Sequence, residues 1–278
     1  MEALIDRLLD RLRVAPVAPV AGQPDADVFG TVRNLRKASV EDRVFGGQLA
    51  AQMSLAAQAT VPDGKALVAM HVDYLVFGDR EAPVEYHVER TSEARTEVRR
   101  VVARQGRSTA IGSFTFQPSG SGFDHQQAMP EVPPPDAVAP HWRMDGRGFR
   151  VRTEEGHDPF VREAAAPDFR MWWSTDGPLP DDPSLHQAVL LYVTDLTMTA
   201  APFRPIDGYA FDMLDRIFSA TVNFSVWFHR PFRFDEWLLH DHESASAAGG
   251  LALTTSHWYT ADGALVATCA QQTASRVR

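Results

Sequence analysis

One carboxylate stands apart among the residues able to do chemistry. Asp195 sits in a helical run with Leu190, Leu191, Val193 and Leu196, where an idle charged side chain costs stability. Partial burial there disfavours the anion and lifts its pKa toward neutrality, as a general base for water activation requires. A second candidate is Gly46-Gly47-Gln48, just ahead of an alanine-rich stretch over residues 49–59. Glycines at a helix start let backbone N–H groups come close to a substrate and polarise its carbonyl without any side chain. His240-Asp241-His242 resembles a fragment of a metal site. Alternate strand residues lacking a third partner are more often a solvated face, so no metal is expected. The single cysteine, Cys269, has no histidine tied to it by motif and reads as a small buried residue. Among Arg95, Arg99, Arg100, Arg104 and Arg107, the pair Arg99 and Arg100 is singled out for phosphate contact through bidentate guanidinium bonds. A solvent-facing strand is the alternative for all five.

Two kinds of element must position these groups. Leu4, Ile5, Leu8, Leu9 and Leu12 share a helical face and give a short N-terminal helix ending near Pro16. Residues 27–43 are expected to be extended in part, and residues 49–59 to form a helix free of Gly and Pro. Strand periodicity follows at 71–77, 84–89, 98–104 and 110–117. From Pro118 onward, Gly120-Ser121-Gly122, Pro130 and Pro133-Pro134-Pro135 mark a linker. Residues 137–166 carry no pattern that assigns them. A strand at 169–174, a helix at 185–198 after Pro180-Asp181-Asp182-Pro183-Ser184, and four further strands reaching Arg276 repeat the earlier order. Corresponding strands start at residues 69 and 221, an offset of 152, so the repeat is a whole subdomain. The fold class is α+β, divided into an N-terminal helix and linker (1–26), a first module (27–118), a Pro-rich and variable segment (119–168) and a second module (169–278).

Composition narrows the function classes. With 278 residues, 44% of them hydrophobic, the chain can form one large domain or two fused ones. A formal net charge of -9 argues against nucleic acid as a partner. A lone cysteine precludes an internal disulfide. No signal peptide or apolar run of membrane length is evident, and the expectation is a soluble cytoplasmic protein.

Several strings then carry a family resemblance. Arg43-Val44-Phe45-Gly46-Gly47-Gln48, Leu185-His186-Gln187, Tyr192-Val193-Thr194-Asp195-Leu196, Trp227-Phe228-His229-Arg230-Pro231-Phe232, Asp235-Glu236-Trp237-Leu238-Leu239 and Asp262-Gly263-Ala264-Leu265-Val266-Ala267 resemble the bacterial TesB-type acyl-CoA thioesterase II family. The order and spacing match from about Arg43 to the C-terminus. The resemblance implies a double hotdog, two central helices each wrapped by a curved antiparallel sheet. It also implies hydrolysis of acyl-CoA to CoA and a carboxylic acid with no cofactor, and assembly into a homo-oligomer. The family's acid, threonine and glutamine fall on Asp195, Thr221 and Gln271. Aligned by the internal repeat, Thr221 faces Ala69 and Gln271 faces Phe114, so one active site per chain is expected, in the second module. Gly46, Gly47 and Gln48, with Arg99 and Arg100, are the expected substrate-binding residues, and the two glycines in the first copy leave open a composite site between the halves. Asn223 and Phe224 stand where the family usually has an acidic residue and a histidine. They keep open a non-catalytic acyl-CoA-binding protein, and a hotdog dehydratase or hydratase ranks behind it.

Overall fold

Small and apolar side chains dominate two helices, and alternating ones dominate the strands that enclose them. The computed structural model describes residues 4–17, 27–31, 43–141, 144–146, 148–210 and 216–277. In the N-terminal half, the elements are α1 (Leu4–Leu12), β1 (Val14–Pro16), β2 (Asp27–Thr31), α2 (Gly46–Gln58), β3 (Lys65–Tyr74), β4 (Glu85–Glu93), β5 (Glu97–Gln105) and β6 (Arg107–Pro118). The C-terminal half contains β7 (Phe149–Arg152), β8 (Asp168–Thr175), α3 (Pro183–Thr197), β9 (Ile217–Phe228), β10 (Leu238–Ala248), β11 (Leu251–Thr260) and β12 (Leu265–Val277).

The strands form one 12-stranded sheet in the order β1-β2-β4-β5-β6-β3-β9-β12-β11-β10-β8-β7. The halves join where β3 pairs antiparallel with β9, from Ala69↔Trp227 to Asp73↔Asn223. One half of the sheet curves over α2 and the other over α3, giving the double hotdog. Inward positions alternate as the pleat demands: Met70 and Val72 on β3, Phe114 and Phe116 on β6, and Phe224 and Val226 on β9 are all buried. Each such side chain contributes roughly 1.5–3 kcal/mol by leaving water.

Helix α2 buries Leu49, Ala50, Ala51, Met53, Ala56 and Ala57, and its many small side chains let the sheet wrap closely. Helix α3 begins at Pro183, with Asp182 as N-cap accepting from the Ser184 N–H at 3.0 Å, which satisfies one of the first-turn donors. Gln187 Nε2 donates to Leu67 O at 2.9 Å and so ties α3 to the first module's β3.

Several elements differ from the sequence expectation. Helix α2 starts at Gly46, which places both glycines inside its first turn. Strand β3 begins at Lys65 and ends at Tyr74. Beyond it, Leu75 and Val76 both donate to Thr109 O and leave the ladder, so residues 75–77 are an exposed turn. Helix α1 stops at Leu12, and Val14–Pro16 pairs with β2 at the sheet edge. The unassigned stretch 137–166 contains β7, which extends the opposite edge by pairing with β8. Of the stretch 27–43, β2 is extended and residues 32–42 lie outside the described residues. Among the described residues, no helix is long and apolar enough to cross a membrane.

Candidate active site

Sheet register decides which polar groups meet at the end of α3. On β9, Thr221 and Phe224 are three residues apart, a spacing that in a regular strand would send them to opposite faces. The register shift opposite Gln272/Thr273 inserts one extra residue on β9 and restores a common face. Thr221 then points inward beside Gln271, which pairs with Phe224. Asp195, in the last turn of α3 and 4% exposed, reaches both.

The three side chains form a closed triangle. Asp195 Oδ1 accepts from Thr221 Oγ1 at 2.8 Å and from Gln271 Nε2 at 3.0 Å. Gln271 Nε2 also donates to Thr221 Oγ1 at 2.5 Å. The proton inventory is consistent: the single threonine hydrogen goes to the carboxylate, and the amide supplies its two hydrogens to the carboxylate and the threonine lone pair. At the far end of that amide, Gln271 Oε1 is buried with no hydrogen-bond partner among the described residues.

The other carboxylate oxygen faces the first module. A Cβ placed on Gly46 would lie 2.9 Å from Asp195 Oδ2 and 3.3 Å from the Tyr74 ring. One on Gly47 would lie 2.8 Å from Tyr192 O and 2.6 Å from the Phe45 ring. Only glycine therefore allows α2 to begin so close to the end of α3. Its N-cap residue is Phe45, which makes no side-chain capping bond, and its first turn holds no acidic residue, so the positive end of the helix is turned toward the carboxylate side. The Tyr74 hydroxyl donates to Gly46 O at 2.9 Å. Burial, and then the Asp195 charge, push that phenol well above its usual range, which keeps it a neutral donor. Burial likewise pushes Tyr192 up to about 12, where it packs edge-on to Phe45 at 5.0 Å. The cluster is composite, with the carboxylate from the second module and the helix start from the first.

The remaining sequence candidates separate clearly. Gln48 is buried and donates to Gln52 Oε1 at 3.1 Å inside the first module. Arg99 is 0% exposed. Its five N–H donors go to Thr60 Oγ1, Thr60 O, Ser92 O, Val98 O and Glu97. No donor is left for a phosphate, so Arg99 is a structural residue that satisfies the chain end beyond α2. Arg100 is exposed on the opposite face with Glu89 at 3.7 Å. His240 and His242 do not lie on a solvated face as expected, since both are buried under α3. His242 Nε2 bonds with Thr197 Oγ1 at 2.9 Å and His240 Nε2 with Ser256 Oγ at 2.8 Å. Asp241 between them points out to Arg170. Cys269 is buried, and burial pushes its thiol up to about 12, far from nucleophilic use. Phe224 is fully buried core and Asn223 lies on the outer face beside Gln272. Tyr74 is the site residue that sequence reasoning missed. The signal available was a tyrosine closing a strand whose inward neighbours are Met70 and Val72, a place where its hydroxyl needs a partner.

Comparison with known proteins gives a consistent picture. Family models described as "Acyl-CoA thioesterase" and "Acyl-CoA thioesterase N-terminal domain" match residues 138–274 and 35–117. Acyl-CoA thioesterase 2 of Haemophilus influenzae is 31% identical over 249 residues, covering 83% of this chain and 86% of that protein. The crystal structure of acyl-CoA thioesterase II TesB2 from Mycobacterium marinum superimposes with TM-score 0.80 at 31% identity, covering 97% of this chain and 98% of the other. A protein with a hot dog fold from Alicyclobacillus acidocaldarius shares the architecture at 20% identity, with TM-score 0.77 and both chains fully covered.

Proposed function

The chain belongs to the TesB-type acyl-CoA thioesterase II family, and on that premise we propose that it hydrolyses acyl-CoA by direct attack of water, with Asp195 as base. The observation that carries this reading is the division of labour on one carboxylate. Oδ1 is gripped by Thr221 and Gln271, and Oδ2 is turned toward the start of α2. Fixing one oxygen aims the other, so the line of proton abstraction is set before substrate arrives.

Asp195 Oδ2 takes a proton from water while the water oxygen attacks the thioester carbon. Gln271 Oε1 accepts the second water hydrogen and holds the molecule in line. The carbonyl oxygen becomes an oxyanion, stabilised by the Gly46 and Gly47 N–H groups at the helix start. Collapse breaks the carbon–sulfur bond, and the proton on Asp195 passes to the departing thiolate, yielding CoA and a carboxylic acid. General-base assistance of this kind is worth about 10²–10⁴-fold. The reading needs no acyl-enzyme, and the single cysteine is buried with its thiol pushed up to about 12.

The test is thiol release over a panel of acyl-CoA chain lengths, with the products examined by mass. The expected result is stoichiometric CoA and free acid. Tight binding without turnover across the panel supports a binding protein instead, and a change at an enoyl double bond without thiol release supports a dehydratase. The proposal extends to a homo-oligomer, supported by the exposed Trp227, Leu251 and Leu253 on outer positions of β9 and β11. Sedimentation velocity reads it, and a monomer at micromolar concentration would refute it.

A further inference from the structure

Four chain segments leave the site and meet again a short way out. Arg43 lies three residues before Gly46, Phe77 three after Tyr74, Phe218 three before Thr221, and Arg276 five after Gln271. The Arg43 guanidinium carbon stands 3.8 Å from the Phe77 ring centroid and 5.8 Å from that of Phe218. The Arg276 guanidinium stands 5.5 Å from the Phe218 centroid, and the two residues pair directly across β9 and β12. The two rings meet edge to face at 6.3 Å. Phe77 is 49% exposed and Arg276 is exposed.

Exposed aromatic side chains and paired positive charges ask for different things from a ligand. A guanidinium lying over a ring keeps its N–H donors directed outward in its own plane, ready for an oxyanion. Neither Arg43 nor Arg276 meets a carboxylate among the described residues. Two such cations come together on a chain of net charge -9, with Asp79 across the bridge from Arg43 accepting from the Glu81 N–H instead. The rings offer flat apolar area to a planar partner. A ligand group that is both multiply anionic and aromatic is a nucleotide. Three strand residues span roughly 10 Å, and the register turns Phe218 and Arg276 to the outer face while Thr221 and Gln271 face inward, so the cluster stands away from Asp195 and cannot touch the reacting carbonyl. It can hold only the far end of a long thiol.

We infer that Arg43, Arg276, Phe77 and Phe218 bind the nucleotide end of the CoA thioester, with the two arginines on its phosphates and the rings against its base. This rests on the reading of Asp195 as the centre of a thioester hydrolase. It moves phosphate recognition from Arg99 and Arg100 to the rim of the composite site. It also gives the enzyme a means of choosing its carrier, since a thioester on a short thiol lacking the nucleotide gains nothing from the cluster.

The test compares an acyl-CoA with the matching acyl-N-acetylcysteamine thioester in wild type and in the double variant Arg43→Gln/Arg276→Gln. The expected result is a rise in KM for acyl-CoA of roughly tenfold or more, with kcat within about twofold and the short thioester unaffected. Raised salt should weaken acyl-CoA binding in wild type more than in the variant. An equal rise in KM for both substrates, or no rise, overturns the inference. So does altered sedimentation with unchanged KM, which would make the cluster a contact between copies. Calorimetric titration with CoA and with pantetheine separates the two readings. If no thioester is turned over but CoA binding weakens in the variant and pantetheine binding does not, the rim assignment stands and the hydrolase reading falls. Unchanged CoA binding overturns the assignment whatever the turnover.

Discussion

In the first module, Gln52 Oε1 accepts from Gln48 Nε2 at 3.1 Å and from the Tyr86 hydroxyl at 2.6 Å, and Gln52 Nε2 donates to Arg11 O at 2.9 Å. In the second, Asp195 Oδ1 accepts from Thr221 and Gln271 at 2.8 and 3.0 Å. Both networks are buried against a central helix. The first is built from neutral groups whose bonds end on other protein groups, and it ties α1 and β4 to α2. The second carries a carboxylate, leaves Gln271 Oε1 without a partner among the described residues, and opens toward the start of a helix from the other module. One repeated frame thus carries a neutral polar network in one copy and, in the other, the carboxylate that the proposed function assigns to chemistry. Removing a polar group should cost stability in the first module and rate in the second.

That contrast is most easily broken at Gly46. Gly46→Ala puts a Cβ 2.9 Å from Asp195 Oδ2, and the carboxylate or the helix start must move. Activity on acyl-CoA should fall about 10²-fold, the cost of a misplacement near 1 Å. Full activity would show that the helix start has no part in the reaction. Thr221→Val removes one of the two bonds on Oδ1 while keeping the shape. A fall in kcat of about tenfold to a hundredfold is expected, with KM little changed. A KM effect alone would make Thr221 a substrate contact.

The converse experiment lies in the first module. Gln52→Leu leaves the Tyr86 and Gln48 donors and Arg11 O without their partner, and should lower unfolding free energy by about 2 kcal/mol in urea titration. Its kcat should stay within about twofold of wild type, and a large loss of rate would erase the distinction between the modules. The smallest effect concerns acid. Burial holds His242 at about 3, against an ordinary 6.5, and lowers His240 in the same direction. Above the ordinary value both states are neutral and nothing is lost. As pH falls below it the unfolded chain takes the proton first, so each group costs about 1.4 kcal/mol per pH unit until its folded pKa is reached. Thermal midpoints from pH 7 to 4 should fall less steeply in His242→Gln than in wild type. Identical slopes would mean that His242 is not held neutral.

Asp195 was legible in the sequence because a lone acid among leucines and valines on a helix has few uses. Thr221 is different: strand parity alone places it opposite Phe224, and the extra residue on β9 that turns it inward leaves no local mark. Arg99 misleads for a related reason. In Glu97-Val98-Arg99-Arg100-Val101 the charges suggest solvent, yet Glu97 and Arg99 share parity with the buried Val101. They turn inward as a pair because Thr60, past the end of α2, needs donors. His240 and His242 share parity with the buried Leu238 in the same way. Alternation was the better guide than polarity. A composite site could be suspected from Gly46 and Gly47 at a helix start in the first copy, but which atoms meet follows only from the packing of α2 on α3, which brings Gly46 to Asp195.

The central claim is that the second module's carboxylate performs the proton transfer, and kcat of Asp195→Asn on the best acyl-CoA substrate tests it most directly. The substitution keeps shape and removes the basic oxygen. With the thermal midpoint shown to be at or above that of wild type, kcat should fall by about 10³-fold. A folded variant that keeps kcat within a few fold of wild type would contradict the claim and leave Asp195 a structural acid.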